Sequence, residues 1–403
     1  MNSYVSLLKT RGVARIMSAQ LVARFPFGML SLAFLLHIER IHHSYGAAGL
    51  VLATTSIGEA IAGPLTSRWM GVWGMRKVLV LTMIVCTAAV GTIAFAPILP
   101  VPLYMATGFI AGLSTPPVQP AVRTIYPKMV NSKQLTPLFS LDASAQEIIW
   151  VVGPVVTTFV ATQISTVLAI SLALVFLIGG GMWFISSPEV GRVRIPRSRR
   201  RLGVVLARPA VLLATVTGFL LIGACAAVEA GVVASFGHDS PESGIVLAIF
   251  AVGSLIGGLS FGHLPIGPWA LARRMFLVFF GMALAAAALN FWWLALTLAI
   301  AGLGIAPALA VMFAIVSASV KFSETAEAYG WVGTGQLIGA ALGSAAAGFL
   351  IDGYGASGAF WIAIAFAFAG FLIPVFFRGA HPDLRGRDAS PIPDTEPIQV
   401  LRS

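Results

Sequence analysis

Twelve apolar stretches, separated by short polar loops, run through the 403-residue chain. We predict that each crosses a lipid bilayer as a helix, because about 20 apolar residues span the hydrocarbon core and a chain in lipid must satisfy its own backbone hydrogen bonds. The predicted spans are 14–38, 46–68, 77–97, 101–122, 138–163, 166–186, 210–236, 243–264, 274–290, 292–317, 328–351 and 356–377. The predicted fold class is an all-α integral membrane protein with 12 transmembrane helices.

The second half of the chain repeats part of the first. Residues 49–63 align without a gap on residues 244–258, 195 positions later, and share three glycines, a Val-Leu-Ala triplet and one isoleucine. Gln146 corresponds in the same way to Gln336 at a spacing of 190. Such symmetry is usual in membrane bundles built from repeats. We therefore predict two six-helix repeats.

The repeats define the domain boundaries. We predict an N-terminal six-helix half at 1–186, a basic cytoplasmic linker at 187–209, a C-terminal six-helix half at 210–378 and a disordered cytoplasmic tail at 379–403. The linker is rich in arginine, namely Arg192, Arg194, Arg197, Arg199, Arg200, Arg201 and Arg208. We expect it to be attracted to anionic lipid headgroups. A specific ligand site in the linker is the interpretation that we favour less.

Composition and charge support a membrane protein. Hydrophobic residues make up 58% of the chain and charged residues 10%, well below the quarter that is usual in soluble domains. The net charge of +10 comes from loops on one side of the predicted membrane, whereas the other side has only Arg40. This asymmetry predicts cytoplasmic N- and C-termini. We expect a multi-pass protein of the bacterial cytoplasmic (inner) membrane, a monomer that binds no nucleic acid.

Three stretches resemble signatures of the major facilitator superfamily. The first resembles its loop motif between helices two and three and reads Gly63-Pro-Leu65-Thr-Ser67-Arg68, followed by Gly74-Met-Arg76-Lys77. Ser67 stands where Asp is usual, and the spacing before Gly74 is longer than in the family. Gly153-Pro154 resembles the core of the fifth-helix motif of proton-coupled antiporters, and residues 348–355 resemble the end of helix eleven.

The resemblance implies the 12-helix fold of this superfamily, similar to bacterial drug/proton antiporters and efflux permeases. It also implies that Arg68, Arg76 and Lys77 help to latch the cytoplasmic gate, although the positive-inside rule alone is sufficient to place them there. In this fold the third, sixth, ninth and twelfth helices face lipid. The corresponding predicted spans carry no charge in their interiors, which fits this arrangement.

Ionisable side chains within a bilayer are costly, so those inside the predicted spans are the best functional candidates. Arg24 lies ten residues into the first span, beside Pro26 and Gly28, which permit a local bend. Glu59 lies at a comparable depth in the second span. Two interpretations remain open. Arg24 and Glu59 could form a structural ion pair. Alternatively, Arg24 binds an anionic group of the substrate and Glu59 exchanges a proton.

The fifth span carries two acidic residues. Asp142 lies near the predicted cytoplasmic face, and Glu147 lies five residues deeper. Arg123, at the end of the fourth span, is the predicted partner of both. An intracellular gate clasp is one interpretation of this group, and a proton relay that includes Glu147 is the other.

The seventh span carries Glu229, and the predicted spans of the second half contain no interior Lys or Arg to pair with it. Because apolar surroundings favour the neutral acid, Glu229 is the best single candidate for a proton carrier. A protonated Glu229 bonded to a neighbouring helix is the structural alternative. Phe27, Trp150 and Gln336 are candidates for the wall of a substrate cavity, although aromatic residues in apolar helices more often only pack.

The resemblance implies a secondary transporter that works by alternating access, and the acidic residues favour proton-coupled export of a small organic or drug-like molecule. One alternative is a carrier of a small anionic metabolite anchored by Arg24. Another is a membrane binding or assembly protein that keeps the fold without transport. The sequence has no P-loop, metal-ligand cluster or catalytic motif. We therefore expect no cofactor, no metal and no enzymatic activity, and a substrate, protons and the bilayer as partners.

Overall fold

The computed structural model describes most of the chain, namely residues 2–96, 98–198, 200–237 and 241–394. Arg199 of the predicted linker and residues 395–403 of the predicted tail lie outside these ranges. The α-helices in the described part are α1 (Asn2–Lys9), α2 (Val13–Arg24), α3 (Leu30–His42), α4 (Tyr45–Trp73), α5 (Met75–Phe95), α6 (Val101–Leu113), α7 (Val118–Ile125), α8 (Ser132–Gln163), α9 (Thr166–Ser186), α10 (Pro188–Arg192), α11 (Pro209–Phe236), α12 (Pro241–Phe261), α13 (Ala270–Ala285), α14 (Phe291–Ser319), α15 (Phe322–Tyr354) and α16 (Ala356–Phe376).

Each predicted span contains helix, and the bundle is all-α as predicted. Within the described residues, ten helical segments are long and apolar enough to cross a membrane. The fourth predicted span is not one helix, because α6 and α7 are separated at Ser114–Pro117. Pro116 and Pro117 have no backbone N–H to donate, which disfavours a continuous helix. The ninth, α13, has 16 residues and is therefore shorter than a typical span.

The first span changes its helical geometry at Pro26 and Gly28, the residues that were expected to permit a local bend. A 3-10 turn at Phe25–Gly28 separates α2 from α3. Pro26 occupies the start of this turn, where its missing N–H is tolerated. The backbone carbonyl of Ile149 in α8 occupies the space that a side chain on residue 28 would need. Glycine at this position thus allows α8 to pack directly against the turn.

Polar residues begin several of the long helices. The side chains of Ser44, Asn131, Ser165 and Asn290 each accept a hydrogen bond from a backbone N–H in the first turn of the following helix. Such caps satisfy donors that have no partner within the helix. Gly74, between α4 and α5, has a φ of 91°, a conformation that favours glycine. The local sequence therefore fixes many of the loop positions.

The repeated glycines make equivalent contacts in the two halves. Gly58 in α4 packs on the backbone of α6, at Phe109, and Gly253 in α12 packs on the backbone of α14, at Ala299. Small residues allow helices to approach closely in lipid, where burial of apolar surface gives no drive for association. The two six-helix repeats predicted from the sequence are thus reflected in equivalent packing.

The halves meet at one side of the bundle, which also carries α1, α10 and residues 378–394. We call it the linker side. Here α4 and α7 contact α15, and α8 contacts α12 and α14. Thr10 accepts a hydrogen bond from Gln134 at 3.3 Å, and Arg15 pairs with Glu189 at 2.5 Å. The segments at this side are therefore joined to one another.

Residues 379–394 pack against the second half, which differs from the predicted disorder of 379–403. The N–H of Leu384 donates to the carbonyl of Ile266 at 2.9 Å. The carboxylate of Asp394 accepts a 2.5 Å hydrogen bond from the hydroxyl of Ser323, in the first turn of α15. Composition indicated little to bury, but it could not reveal the loop backbone and helix terminus that supply these partners.

Candidate functional site

The linker side is closed by polar contacts between the halves. Arg68 at the end of α4 pairs with Glu327 of α15 at 3.0 Å. The second oxygen of Glu327 accepts a hydrogen bond from the N–H of Gly203 in the linker at 2.8 Å. Thr334 of α15 donates to the carbonyl of Ala60 in α4 at 2.7 Å. The helices α4 and α15 are thus joined by polar contacts over several turns.

Aromatic rings seal the centre of the same side. The guanidinium carbon of Arg123 lies 3.4 Å from the centroid of the Phe313 ring, a cation–π contact across the two halves. Phe139 of α8 contacts the rings of Phe313 and Tyr329, with centroids 6.4 and 6.3 Å apart. All four side chains are almost fully buried. These buried side chains join the two halves at the centre of the linker side.

A buried charged cluster lies within the first half, next to this seal. Asp142, which is fully buried, accepts a hydrogen bond from Nε of Arg123 at 2.9 Å and pairs with Arg24 at 3.4 Å. Tyr126 donates to the same carboxylate at 3.2 Å, and Gln146 accepts from Arg24 at 2.5 Å. Among the described residues, two guanidinium groups therefore share one carboxylate.

The predicted partner Arg123 is confirmed for Asp142, but the possible Arg24–Glu59 pair is not formed. Arg24 also bonds Gln20 at 2.9 Å, one helical turn earlier, and both point towards α8. Glu59 is half-buried and lies beside the hydroxyl of Thr115, where α6 ends. The two residues are at similar depths, but they face different neighbouring helices.

Glu147 connects the halves instead of pairing with Arg123, so that part of the prediction is wrong. Its Oε1 accepts a hydrogen bond from the hydroxyl of Ser254 in α12 at 2.9 Å. The oxygen of Ser254 in turn accepts from the N–H of Ala306 in α14 at 3.1 Å. Glu147 lies five residues beyond Asp142, so it emerges from α8 on a different face. A carboxyl near the middle of α8, in the first half, is thus bonded to the second half.

Glu229 of α11 lies near Glu147 of the first half. Its side chain is exposed, although its neighbours Ala227 and Val228 are fully buried. Its carboxyl lies close enough to Glu147 and to Cys225 for electrostatic interaction with both. Glu229 forms no ion pair within the described part of the chain. The structure therefore brings together two of the three predicted coupling acids, whereas Glu59 lies apart.

The predicted cavity residues Gln336, Phe27 and Trp150 differ in burial and in their neighbours. Gln336 of α15 packs beside Gly218 of α11, which is on the same helical face as Glu229, three turns nearer the linker side. The amide nitrogen of Gln336 is buried without a hydrogen-bond partner among the described residues. In the first half Phe27 is half-buried, and Trp150, one turn beyond Glu147, is 51% exposed.

The motif residues near the linker side have distinct surroundings. Gly63 meets Gly330 of α15 so closely that a Cβ there would lie 3.0 Å from the Gly330 carbonyl oxygen. Ser67, which replaces the usual Asp, is buried with no hydrogen-bond partner in the described structure. Arg76 donates to the Ile185 carbonyl at 3.1 Å. Gly74 and Lys77 are exposed.

The Gly-Pro motif of α8 has a packing role in the observed state. Gly153 faces the backbone of Gly28 at the 3-10 turn, where a Cβ would lie 2.8 Å from the carbonyl carbon. Pro154 is half-buried beside it. These glycines allow α8 to approach the bend of the first span closely.

Sequence reasoning missed several residues of the site. Glu327 and Ser254 are partners of predicted residues but lie in the other half of the chain. Gln20 and Tyr126 complete the environment of Asp142. One available signal is spacing, because Gln20 precedes Arg24 by four residues and thus shares its helical face. The long-range partners carried no comparable signal.

Known proteins provide a family for this chain. The model of the Major Facilitator Superfamily matches residues 16–289 and, in a second match, residues 226–402. No curated protein matches the sequence significantly.

Solved structures share the fold at low sequence identity. The human organic anion transporter MFSD10 (TETRAN) has 16% identity and a TM-score of 0.72, over 91% of this chain and 99% of that one. A bacterial homologue of the iron transporter ferroportin in an outward-facing state has 12% identity and a TM-score of 0.74, over 92% and 100%. The proton:xylose symporter XylE has 15% identity and a TM-score of 0.71, over 94% and 97%.

Proposed function

The chain belongs to the major facilitator superfamily, and on that basis we propose that it is a secondary transporter that couples protons to export of a small organic molecule. Transporters of this type expose a central site alternately to each side as two repeats rock about it. The closed linker side and the exposed Glu229 support a state that is open on the opposite side. The positive-inside rule makes the linker side cytoplasmic and this state outward-facing.

The proximity of two carboxyl groups from opposite halves carries the proposal of proton coupling. Glu147 of α8 is bonded to Ser254, and Glu229 of α11 lies within electrostatic range of Glu147. Two charged carboxylates repel each other when they come close. Bringing α8 and α11 together on the open side is therefore unfavourable until one carboxyl has bound a proton.

Protonation then controls closure of the open side. Glu229, being exposed, takes a proton from that side and lets the halves approach. The contacts of the linker side, among them Arg68–Glu327, must separate in the same movement. Release of the proton towards the linker side resets the carrier, so proton entry is coupled to substrate movement the other way. The resemblance of Gly153-Pro154 to an antiporter motif supports export.

The first test is substrate-induced proton flux in proteoliposomes under an imposed pH gradient. We expect a panel of drugs and metabolites to contain a compound that induces flux in the wild type, and Glu229→Gln to abolish that flux. Asp352→Asn, which neutralises an exposed acid at the end of α15, is the matched control. Flux that survives Glu229→Gln would move the coupling role to Glu147 or Glu59. Absence of flux with every compound would favour a uniporter or a binding protein without transport.

A small organic anion is the second candidate for the substrate. Arg24 and Arg123 share Asp142, which leaves a formal excess of positive charge in the first half. The structural neighbour MFSD10 is described as an organic anion transporter. If Arg24 anchors an anion, Arg24→Gln abolishes transport and Arg24→Lys retains part of it. Thermal unfolding of both variants, with and without the anion, separates lost binding from lost folding.

A further inference from the structure

A pocket of about 450 Å³ opens on the linker side, away from the transport site. It lies between the end of α4 and the linker and is lined by Leu65, Arg68, Trp69, Val72, Trp73, Arg201 and Leu202. A second cavity of about 390 Å³ shares Arg68 and Val72 with the first and adds Arg197 and Ser198. The two cavities adjoin, so we treat them as one site, the α4–linker pocket.

The arginines of the linker differ in their partners. Arg200 and Arg208 meet Glu324 of α15 at 3.2 and 3.9 Å. Arg197 and Arg201, which line the α4–linker pocket, are exposed and form no ion pair among the described residues. Guanidinium groups bind phosphate through paired hydrogen bonds. The pocket therefore presents two arginine charges that no acidic side chain of the described chain neutralises.

The opposite wall of the pocket is apolar. Trp69 and Trp73 stack with ring centroids 5.0 Å apart, and Trp73 is 47% exposed. Val72 and Leu202 are each 44% exposed. Trp69, Val72 and Trp73 belong to the last turns of α4, a membrane-spanning helix, and tryptophan at such helix ends typically lies at the level of lipid headgroups. Leu202 comes from the linker. A ligand that suits both walls is anionic at one end and apolar at the other.

We propose that the α4–linker pocket binds an anionic phospholipid, a role separate from the transport function proposed above. The phosphodiester lies between Arg197 and Arg201, and an acyl chain runs along Trp69 and Trp73. Basic pockets beside transmembrane helices recognise such headgroups. Because Arg68 joins this pocket to Glu327 of the other half, the bound lipid stabilises the closed linker side.

Native mass spectrometry of the full-length protein in detergent tests the proposal, with phosphatidylglycerol as probe and phosphatidylcholine for comparison. We expect the double variant Arg197→Gln/Arg201→Gln to retain phosphatidylglycerol at least about tenfold less tightly, since each basic residue near a membrane surface contributes roughly fivefold. The control Arg192→Gln/Arg194→Gln removes the same charge outside the pocket. Equal losses in the two variants would show general attraction to a basic linker and would overturn the proposal.

A second arm distinguishes a lipid from free phosphate. Trp73→Ala keeps the arginines but removes part of the apolar wall, so we expect weaker retention of phosphatidylglycerol. Inorganic phosphate and soluble glycerophosphoglycerol should give no comparable thermal stabilisation of the wild type. Stabilisation by inorganic phosphate alone, unchanged in Trp73→Ala, would contradict a lipid site. Size-exclusion profiles confirm that each variant is folded.

Discussion

Asp142 is the residue on which the charge balance of the first half depends. It is fully buried and lies between Arg24, Arg123 and the hydroxyl of Tyr126. Burying a charge is costly unless it is paired and hydrogen-bonded, and this carboxylate provides that pairing for two guanidinium groups at once. The cluster also holds Arg123 against Phe313, so it links the interior of one half to the seal between both.

We predict that Asp142→Asn destabilises the protein by about 3–5 kcal/mol, because the change leaves buried guanidinium charges without a counter-charge. Thermal unfolding in detergent is the measurement, with Asp352→Asn at an exposed position as control. An unchanged midpoint for Asp142→Asn would mean that solvent reaches the cluster and that Asp142 is not its electrostatic centre.

At the scale of elements, the segment 379–394 packs in a defined position although it has few apolar side chains to bury. It crosses the loop before α13 and ends at the first turn of α15, where Asp394 caps the backbone and hydroxyl of Ser323. Acidic side chains are favourable at a helix N-terminus. The contacts are made mostly by backbone, which explains why the composition of the segment gave no indication of them.

The same segment should loosen in acid. Burial lowers the pKa of His381 from its ordinary value of about 6.5; the hydrogen bond to the Pro382 carbonyl and nearby Asp383 oppose this shift, and Arg274 adds to it. A base whose pKa is depressed on folding contributes stability above its unfolded pKa and loses it as pH falls through the folded value. We expect hydrogen exchange of residues 379–394 to quicken between about pH 7 and pH 5.5. His381→Phe should remove this pH dependence; an identical response would assign it to other groups.

At the scale of the whole molecule, the observed state is defined by an asymmetry between its two sides. The linker side has paired charges, stacked rings and close glycine contacts, as at Gly63 and Gly330. The carboxyl groups of Glu147 and Glu229, which lie farther from the linker, repel each other when both are charged. In the mechanism that we propose, the balance between these two sets of contacts determines which side is open.

We predict that Arg68→Glu shifts this balance towards opening of the linker side, since it places a second acid beside Glu327. The charge swap Arg68→Glu/Glu327→Arg should restore part of the closed population. Because Arg68 is partly exposed, we expect a shift of about fivefold or less, equivalent to about 1 kcal/mol. Distances between spin labels on α4 and α15 at the linker side report the populations. Equal distance distributions in all three proteins would exclude a gating role for this pair.

The sequence by itself determined the membrane class, the helical spans, their repetition and the family. The class, the spans and their repetition follow from local properties, namely apolar length and the spacing of the repeated glycines, whereas the family was implied by the resemblance of three stretches to its motifs. It also identified Arg24, Asp142, Glu147 and Glu229, because an ionisable residue in an apolar span is conspicuous. The break of the fourth span was also encoded locally, at Pro116–Pro117, although we predicted one continuous helix.

Only the tertiary structure decided how these residues are paired. Arg24 bonds Asp142 and not Glu59, and Glu147 bonds Ser254 and not Arg123. Helical depth can be counted along a sequence, but the rotation of each helix and its choice of neighbour depend on the packing of all the others. A side chain of a few ångströms can reach only what that rotation puts beside it. For this reason the sequence identified the ionisable residues of the site but did not show which of them are in contact.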